Sequence, residues 1–261
     1  MTSAADVIEI DEAGFGLSAG LVSWDTEVFQ FPVAQICQIQ IDDVGAASAA
    51  WHQFDDWLED RQVRIVSCRL PMDCLAESMF LEACGFRFVE VVLHPYLDRL
   101  DQVELSVDDL VIAPAGQSDV NGLIDIARRA FLHERYHVDP RIDSAFGKER
   151  YARWVRSSLR HESQRLLKVV DGETPVGFFI VETDSLGGVY WHLTAISTEM
   201  QGRGYGRRAW TAMLNRHRQE GARSVSTTIS VRNVAVQNLY ARLGFRFRPP
   251  DMTFHWVRAS V

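Results

Sequence analysis

The chain has 261 residues, of which 47% are hydrophobic and 24% charged, and its formal net charge is −8 at pH 7. This composition is typical of one large or two ordinary globular domains and excludes a disordered chain. It also argues against nucleic acid or an anionic membrane surface as a partner, because either would favour a basic face.

The N-terminal residues lack the basic start and apolar stretch of a secretion signal, so we expect a cytoplasmic protein. The four cysteines form no Cys-x-x-Cys pair with histidines nearby; they are Cys37, Cys68, Cys74 and Cys84. We therefore expect reduced, buried thiols and no metal site.

The first half of the chain, after a polar start, predicts alternating strands and helices. One helix carries Trp51, Phe54 and Leu58 on one face, and another ends before Gly85. The predicted order is strand, helix, strand, helix, strand, over residues 31–41, 46–60, 63–70, 74–83 and 87–93. Residues 98–109 are polar and acidic, so we place a domain boundary there and divide the chain into residues 1–105 and 106–261.

The second half repeats this alternation with more helices. A strand at 111–113 precedes helices at 121–131 and 145–159, and Asp171-Gly172 predicts a turn between two strands. The later predicted elements are a strand at 189–196, a helix containing Ala209, Met213, Leu214 and His217, an apolar run at 224–231, and a helix that starts at Asn233 and stops at Gly244.

A glycine-rich turn, Gln201-Gly202-Arg203-Gly204-Tyr205-Gly206, falls between the predicted strand at 189–196 and the helix after it. Without side chains, the backbone N–H groups of such a turn can point into one concavity, and the helix N-terminus adds positive potential. The turn is therefore a candidate phosphate or pyrophosphate site, although an ordinary glycine-rich turn would look the same.

The order strand, glycine turn, helix, strand, Asn233, helix with Tyr240 and Gly244-Phe245 resembles the GCN5-related N-acetyltransferase (GNAT) superfamily. The resemblance implies a mixed α/β fold, acetyl-CoA as co-substrate, and a pyrophosphate held by the glycine turn. The implied cofactor-binding residues are Leu193, Ala195, Ile196, Ser197, Gln201, Gly202, Arg203, Gly204, Tyr205, Gly206, Arg207, Asn233 and Tyr240.

Acetyl transfer from a thioester to an amine needs an oxyanion donor, a proton for the thiolate and an unprotonated amine. We expect the strand at 193–196 to splay from its neighbour, with the backbone N–H of Ile196 as oxyanion donor. Tyr240 is the candidate general acid, since a phenol has a reference pKa of about 10. His192, His133 and His137 are candidate bases, and a water chain to a carboxylate such as Glu182 is the alternative. Tyr240 could instead only pack on the sheet, and Asn233 could be a plain helix N-cap.

The first half appears as a degenerate copy of the second when Cys84-Gly85-Phe86 is aligned on Leu243-Gly244-Phe245. Leu81 then stands where Tyr240 stands, and Asp42-Asp43 replaces the glycine turn. Because paired carboxylates would repel a pyrophosphate, we expect a tandem arrangement in which only the second half binds acetyl-CoA.

A narrower resemblance links residues 24–32 and 131–140 to the dTDP-fucosamine (dTDP-4-amino-4,6-dideoxygalactose) N-acetyltransferase family, with Gln30 for its usual Gly and Glu134 for its usual Ser. It implies a nucleotide-linked amino sugar as acceptor. The implied acceptor residues are His133, Arg135, Tyr136, His137, Asp139, Trp24 and Phe29. Alternatives are another small-molecule amine, such as an antibiotic or a mycothiol-type precursor, and a non-catalytic acyl-CoA-binding regulator. The sequence leaves a homodimer open.

Overall fold

A computed structural model describes residues 6–106 and 110–258. The residues 107–109 of the predicted boundary segment and the extreme N-terminal residues used for localisation lie outside this part. The first half contains β1 (Val7–Glu12), β2 (Phe15–Leu21), α1 (Ser23–Phe29), β3 (Val33–Ile41), α2 (Val44–Asp60), β4 (Ile65–Pro71), α3 (Leu75–Ala83) and β5 (Arg87–Leu97).

The second half is longer and carries five of the helices found within the described residues. It contains β6 (Val111–Pro114), α4 (Val120–Ala130), α5 (Arg135–Val138), α6 (Ser144–Ser158), β7 (Gln164–Asp171), β8 (Thr174–Thr183), β9 (Gly188–Ile196), α7 (Tyr205–Gln219), β10 (Ser224–Thr227), β11 (Ile229–Ser230), α8 (Val234–Arg242) and β12 (Arg246–Val257). Short 3-10 turns cover Leu100–Gln102 and Thr198–Met200.

One sheet runs through both halves, in the order β1-β2-β3-β4-β12-β5-β10-β9-β8-β7-β6. The last strand of each half lies inside the strands of the other: β12 pairs with β4 and β5, and β5 pairs with β12 and β10. Each half therefore completes the sheet of the other. The alternating pattern of either strand predicts a strand but does not indicate this exchange.

Helices on opposite faces of the sheet bury separate apolar cores. Helices α7 and α8 pack on one face, where Trp191, Met213 and Tyr240 belong to one cluster. Helices α4 and α6 cover the other face around Phe178 and Leu193. A bulge between Trp191 and Leu193 of β9 turns these two residues to opposite sides, so side chains from this one strand reach both cores.

The matching ends of α3 and α8 support the internal duplication. Each helix has nine residues and is followed by a glycine of positive φ, Gly85 at 88° and Gly244 at 82°. The amide of the next phenylalanine donates to the carbonyl of Leu81 in one half and of Tyr240 in the other. Leu81 thus occupies the place of Tyr240, as the alignment predicted.

The sequence patterns missed the elements at the start of the chain. Strands β1 and β2 form a hairpin, and Phe15, Leu17 and Ala19 of β2 are buried. Their alternation is short and interrupted by glycines, which weakens the strand signal. Helix α1 and the four-residue helix α5 were also missed, since neither is long enough to show a helical repeat.

No helix in the described part of the chain is long and apolar enough to cross a membrane. Within residues 6–106 and 110–258, no group of three or more His, Cys, Asp or Glu side chains could hold a metal ion.

Candidate active site

The glycine turn leads directly into α7, as the sequence predicts. Gly202 and Gly204 have positive φ values of 73° and 84°, and Gly204 is the N-cap of the helix. A Cβ atom added at either glycine would meet no other atom within 4 Å, so the space beside the turn is open. The first N–H groups of a helix have no intrahelical partner, and Gly204 has no side chain to cap them. The turn therefore offers free donors and an open concavity to an anion.

Strand β9 has a free edge next to this turn. It pairs with β10 only from Gly188 to Trp191, while its other edge pairs with β8 as far as Ile196. The amide of Ser197 donates to the Val176 carbonyl on β8. Because successive amides of a strand point to opposite edges, the N–H of Ile196 is directed to the free edge. The predicted splay of the strand at residues 193–196 is present.

Close approach of β8 holds this end of β9 in place. A Cβ atom at Gly177 would lie 2.5 Å from the carbonyl oxygen of Ala195 and 2.6 Å from Cδ1 of Ile196. Only glycine fits there. Gln201 adds a second restraint, since its Nε2 donates to the Ile196 carbonyl at 3.1 Å. Strand and turn are thus fixed relative to each other.

Tyr240 is fully buried on the α7 and α8 side of β9. Its ring packs on Phe245 at 4.7 Å between centroids and approaches Trp191 at 6.4 Å. Its hydroxyl has no hydrogen-bond partner among the described residues. Burial raises the pKa of Tyr240 to about 12, against smaller opposing effects of nearby polar side chains, first that of Trp210. The phenol is therefore protonated over the whole physiological pH range.

Asn233 caps α8: its Oδ1 accepts a hydrogen bond from the Val236 amide at 3.3 Å. Asn233 is therefore a helix N-cap, one of the two roles expected from the sequence. This role leaves the amide nitrogen of its side chain for other contacts. Arg203 and Arg207 are exposed beside the turn. Tyr205 is directed away from the turn, where its hydroxyl donates to Asp171.

His192 lies on the opposite face of the sheet from Tyr240. It is the extra residue of a bulge in β9, because Trp191 pairs with Val181 and Leu193 with Ile180. Its Nε2 is 2.8 Å from Oε2 of Glu182, so the two residues named as base and alternative form one pair. The pair is half-buried, and the His192 ring contacts the Tyr190 ring at 4.8 Å between centroids.

The residues implied by the narrower resemblance mostly form the contact between α1, α5 and the sheet. Phe29 and Tyr136 are 1% exposed and pack edge to face. The Tyr136 hydroxyl donates to buried Asp25 at 3.0 Å, and Arg150 Nε donates to the same carboxylate at 2.7 Å. These side chains are engaged in packing and pairing with each other.

Asp139 belongs to the same contact through a second buried network. Arg141 donates to both of its oxygens, at 2.9 and 2.8 Å, and His255 Nδ1 lies 3.0 Å away. Burial lowers the pKa of His255 to about 4, so its imidazole is neutral and donates from Nδ1. Hydrogen bonds from His255 and Arg141 hold the pKa of Asp139 well below its usual range despite burial.

The remaining residues of this set are more accessible. His133 is exposed, Trp24 is half-buried under the guanidinium of Arg153, and His137 packs on Gly147 of α6. Burial lowers the pKa of His137. Arg135 lies 3.8 Å from Asp25 and stacks on Tyr136.

An open cavity of about 360 Å³ lies on the His192 face, between the exchanged strand β5 and the strands around it. Sequence reasoning assigned none of its residues. It is lined by His94, Pro95, Tyr96, Tyr190, Ser226, Thr227, Arg248, Pro249 and Asp251. The guanidinium groups of Arg246 and Arg248 lie 5.0 and 4.9 Å from the centroid of Tyr96, and His94 Nε2 is 2.8 Å from Asp251. The cavity thus combines an aromatic ring, hydroxyls, one guanidinium group and a carboxylate.

The N-terminus of a helix that follows a glycine turn lies beside a splayed strand. This arrangement is typical of α/β acyl-CoA-dependent transferases, which gives the class of protein. Residues 122–245 match the model of the acetyltransferase (GNAT) family. This match covers just under half of the chain, and it makes the second half similar to the GNAT acetyltransferases, a family of acetyl-CoA-dependent acyltransferases. No curated protein sequence matches the chain.

Solved structures with the same fold extend the likeness to almost the whole chain. A GCN5-related N-acetyltransferase from Sphaerobacter thermophilus is 15% identical with a TM-score of 0.66, covering 94% of this chain and 78% of that one. A tandem GNAT protein from the clavulanic acid biosynthesis pathway is 15% identical with a TM-score of 0.58, covering 95% and 80%. The predicted tandem α/β fold is confirmed.

A third structure comes from a fungal enzyme of several domains. It is described as a GCN5-related glucosamine N-acetyltransferase region of a β-N-acetylglucosaminidase, and it is 11% identical with a TM-score of 0.66, covering 93% of this chain and 31% of that one. At this identity the likeness concerns the fold. These matches do not single out the dTDP-fucosamine acetyltransferase family.

Proposed function

We propose that the second half transfers an acetyl group from acetyl-CoA directly to the amine of an amino sugar that is linked to a nucleotide. The transfer reaction is supported by one observation: the open, uncapped N-terminus of α7 lies next to the free edge of β9. The first suits the pyrophosphate of the co-substrate, and the second suits its extended pantetheine arm.

The residues of this chain then have separate tasks. The amides at Gly202, Gly204 and Gly206 bind the pyrophosphate, and the backbone of residues 193–196 aligns the thioester. The N–H of Ile196 stabilises the oxyanion that forms when the amine attacks. Tyr240, protonated and buried on the other side of the strand, gives its proton to the thiolate that leaves.

The acceptor assignment is supported by the cavity beside β9. Arg248 provides a cation for a diphosphate, and the Tyr96 ring and the hydroxyls of Tyr190 and Thr227 suit the ring and hydroxyls of a sugar. Asp251 suits an ammonium group. The sequence resemblance to dTDP-fucosamine acetyltransferases and the fungal glucosamine acetyltransferase region of the same fold point in the same direction.

Thiol release from acetyl-CoA tests the proposal with a panel of dTDP-linked 4-amino and 3-amino sugars, free glucosamine, an aminoglycoside antibiotic and a cysteinyl pseudodisaccharide. We expect the dTDP-linked sugars to give the highest kcat/KM. An Arg248→Gln variant should lose this preference by raising KM for the dTDP-linked sugars and leaving KM for glucosamine unchanged. Turnover restricted to the antibiotic or the pseudodisaccharide would assign the alternative acceptor class.

A further inference from the structure

A buried carboxylate from the first half, Glu90 of β5, has no role in the arrangement described so far. It is 2% exposed, and its register partner on β12 is Thr253. Its Oε1 lies 3.8 Å from the Arg69 guanidinium, whereas Oε2 has no hydrogen-bond partner in the described part of the chain. Buried polar atoms are nearly always paired, so an unpaired carboxylate oxygen requires an explanation.

Charged groups from several elements face Glu90. Glu134, just before α5, and Arg69 on β4 act most strongly on it, followed by Arg135 on α5. The hydroxyls of Ser230 on β11 and Tyr151 on α6 complete the surroundings. Burial and the neighbouring Glu134 carboxylate raise the pKa of Glu90 to about 7, and the two arginines and hydrogen bonding with Ser230 lower it by less. Glu90 can therefore exchange a proton near neutral pH.

A series of neighbouring groups leads from Glu90 to Tyr190, which lies in the paired part of β9 and lines the acceptor cavity. Ser230 lies on β11, which pairs with β5 at Val92, two residues from Glu90. Thr228 stands in the break between β10 and β11, and its Oγ1 is 3.1 Å from the Tyr190 hydroxyl. Arg69 lies within electrostatic reach of both Glu90 and Tyr190. Glu90 is thus on the face of the sheet that carries the acceptor cavity.

We propose that Glu90 is the proton acceptor for the ammonium group of the acceptor, so that the first half supplies a catalytic residue to the second. This inference rests on the proposed acetyl transfer. One proton passes from R–NH3+ to the Glu90 carboxylate, the freed lone pair forms the C–N bond of a tetrahedral adduct, and the C–S bond breaks when this adduct collapses. The second proton leaves the nitrogen of the adduct through solvent and restores the one that Tyr240 gives to the thiolate. Glu90 then releases its proton to solvent, which balances the reaction.

The His192–Glu182 pair is less suited to this task. Glu182 keeps 37% of its side chain exposed, and hydrogen bonds, first from Ser163 and then from His192, lower its pKa. A carboxylate stabilised in this way is a weak base. Glu90 has the opposite surroundings, with one oxygen unpaired and an environment that favours accepting a proton.

Two small amines test this role without depending on acceptor recognition. Hydroxylamine is largely unprotonated at neutral pH and needs no base, whereas methylamine is protonated and does. We expect Glu90→Gln to lower methylamine acetylation by about 10²-fold or more at pH 7 while hydroxylamine acetylation stays within about threefold. The methylamine defect should shrink as the pH approaches the pKa of methylamine itself. Glu82→Gln, an exposed glutamate of the same half, is the matched control and should change neither rate.

The outcomes separate the two proposals. Equal loss with both amines, or loss with neither, would overturn the role of Glu90 and leave acetyl transfer intact. Turnover of the small amines without turnover of any dTDP-linked sugar would overturn the acceptor assignment alone. Glu90→Asp keeps a carboxylate and should retain the low-pH limb of kcat/KM at a reduced rate, which keeps the test open if the Gln variant folds poorly. No thiol release with any amine would overturn both proposals.

Discussion

Asp43 and Gly204 occupy equivalent positions in the two halves, as N-caps of the helices α2 and α7. The Asp43 carboxylate accepts hydrogen bonds from the amides of Gly45 and Ala46, at 2.7 and 3.2 Å. These are the groups that α7 leaves free beside its glycine turn. The first half therefore uses its own carboxylate where the second half has room for a phosphate.

We expect one acetyl-CoA per chain. Asp43 fills the anion position of α2, and Leu81 cannot supply a proton. Isothermal titration calorimetry of the full chain should give a stoichiometry of one, and a stoichiometry of two would contradict the assignment of the first half as unable to bind.

Placing the same carboxylate in the second half should block binding there. Gly204→Asp introduces a negative charge at the pyrophosphate position, so its affinity for acetyl-CoA should fall by at least about tenfold. Gly204→Asn is the matched control, because Asn has the same shape, tolerates the positive φ of 84° and carries no charge. Calorimetry should rank the affinities as wild type, Asn, Asp; equal losses in both variants would show that backbone strain, not charge, is responsible.

Tyr240→Phe should lower kcat by about 10²–10⁴-fold at similar KM, the range expected for loss of a general acid. Within the described residues the hydroxyl has no hydrogen bond of good geometry and only weaker interactions with Trp210, Thr227 and Thr194, so its removal should change the melting temperature little. Steady-state kinetics and thermal unfolding of the variant provide the measurement. A kcat within about threefold of wild type, with chemistry rate-limiting, would mean that Tyr240 only packs on the sheet.

The glycine turn and the end of α8 could be predicted because their signals are local. Gly204 is needed for a positive φ at a helix N-terminus, and Gly244 ends a helix with the same conformation. Each of these two features depends on residues that lie within a few positions of each other in the chain. The free edge of β9 depends on its pairing with the distant β10 and could be expected only through the resemblance to the GNAT superfamily.

The exchange of β5 and β12 and the position of Glu90 could not be predicted in this way. In both halves a helix is followed by Gly-Phe-Arg and the strand begins at this arginine. Nothing in the sequence of either strand therefore specifies the neighbour with which it pairs. Glu90 is a single glutamate in an apolar strand of the half that lost the glycine turn. Its proximity to Arg69 and Glu134 arises only from tertiary packing.

Asp25 should be the most sensitive position in the contact between the halves. Asp25→Ala leaves the buried Arg150 without its partner, so we expect a loss of about 3–5 kcal/mol in unfolding free energy. Glu27→Ala on the same helix breaks an exposed pair with Arg153 and should cost about 1 kcal/mol or less. Urea unfolding of both variants measures the difference. Similar values for the two would show that the Asp25 network is not energetically special.

The last prediction concerns His217, which is buried between α7 and β9. Its Nε2 accepts a hydrogen bond from Trp191 Nε1 at 2.9 Å, so protonation would break this bond and bury a charge. Burial lowers the pKa of His217 to about 4, below the value of about 6.5 in an unfolded chain. Between these values the unfolded state binds more protons, so folding stability falls as the pH is lowered through this window.

His217→Gln keeps an oxygen that can accept from Trp191 and removes the titration. Wild type should lose stability relative to this variant by up to about 1.4 kcal/mol per pH unit between about pH 6.5 and 4, with no further change below. Urea unfolding of both proteins at a series of pH values gives the difference, in which groups that titrate in both, such as Glu90, cancel. Parallel stability curves would show that His217 is protonated equally in the folded and unfolded chains.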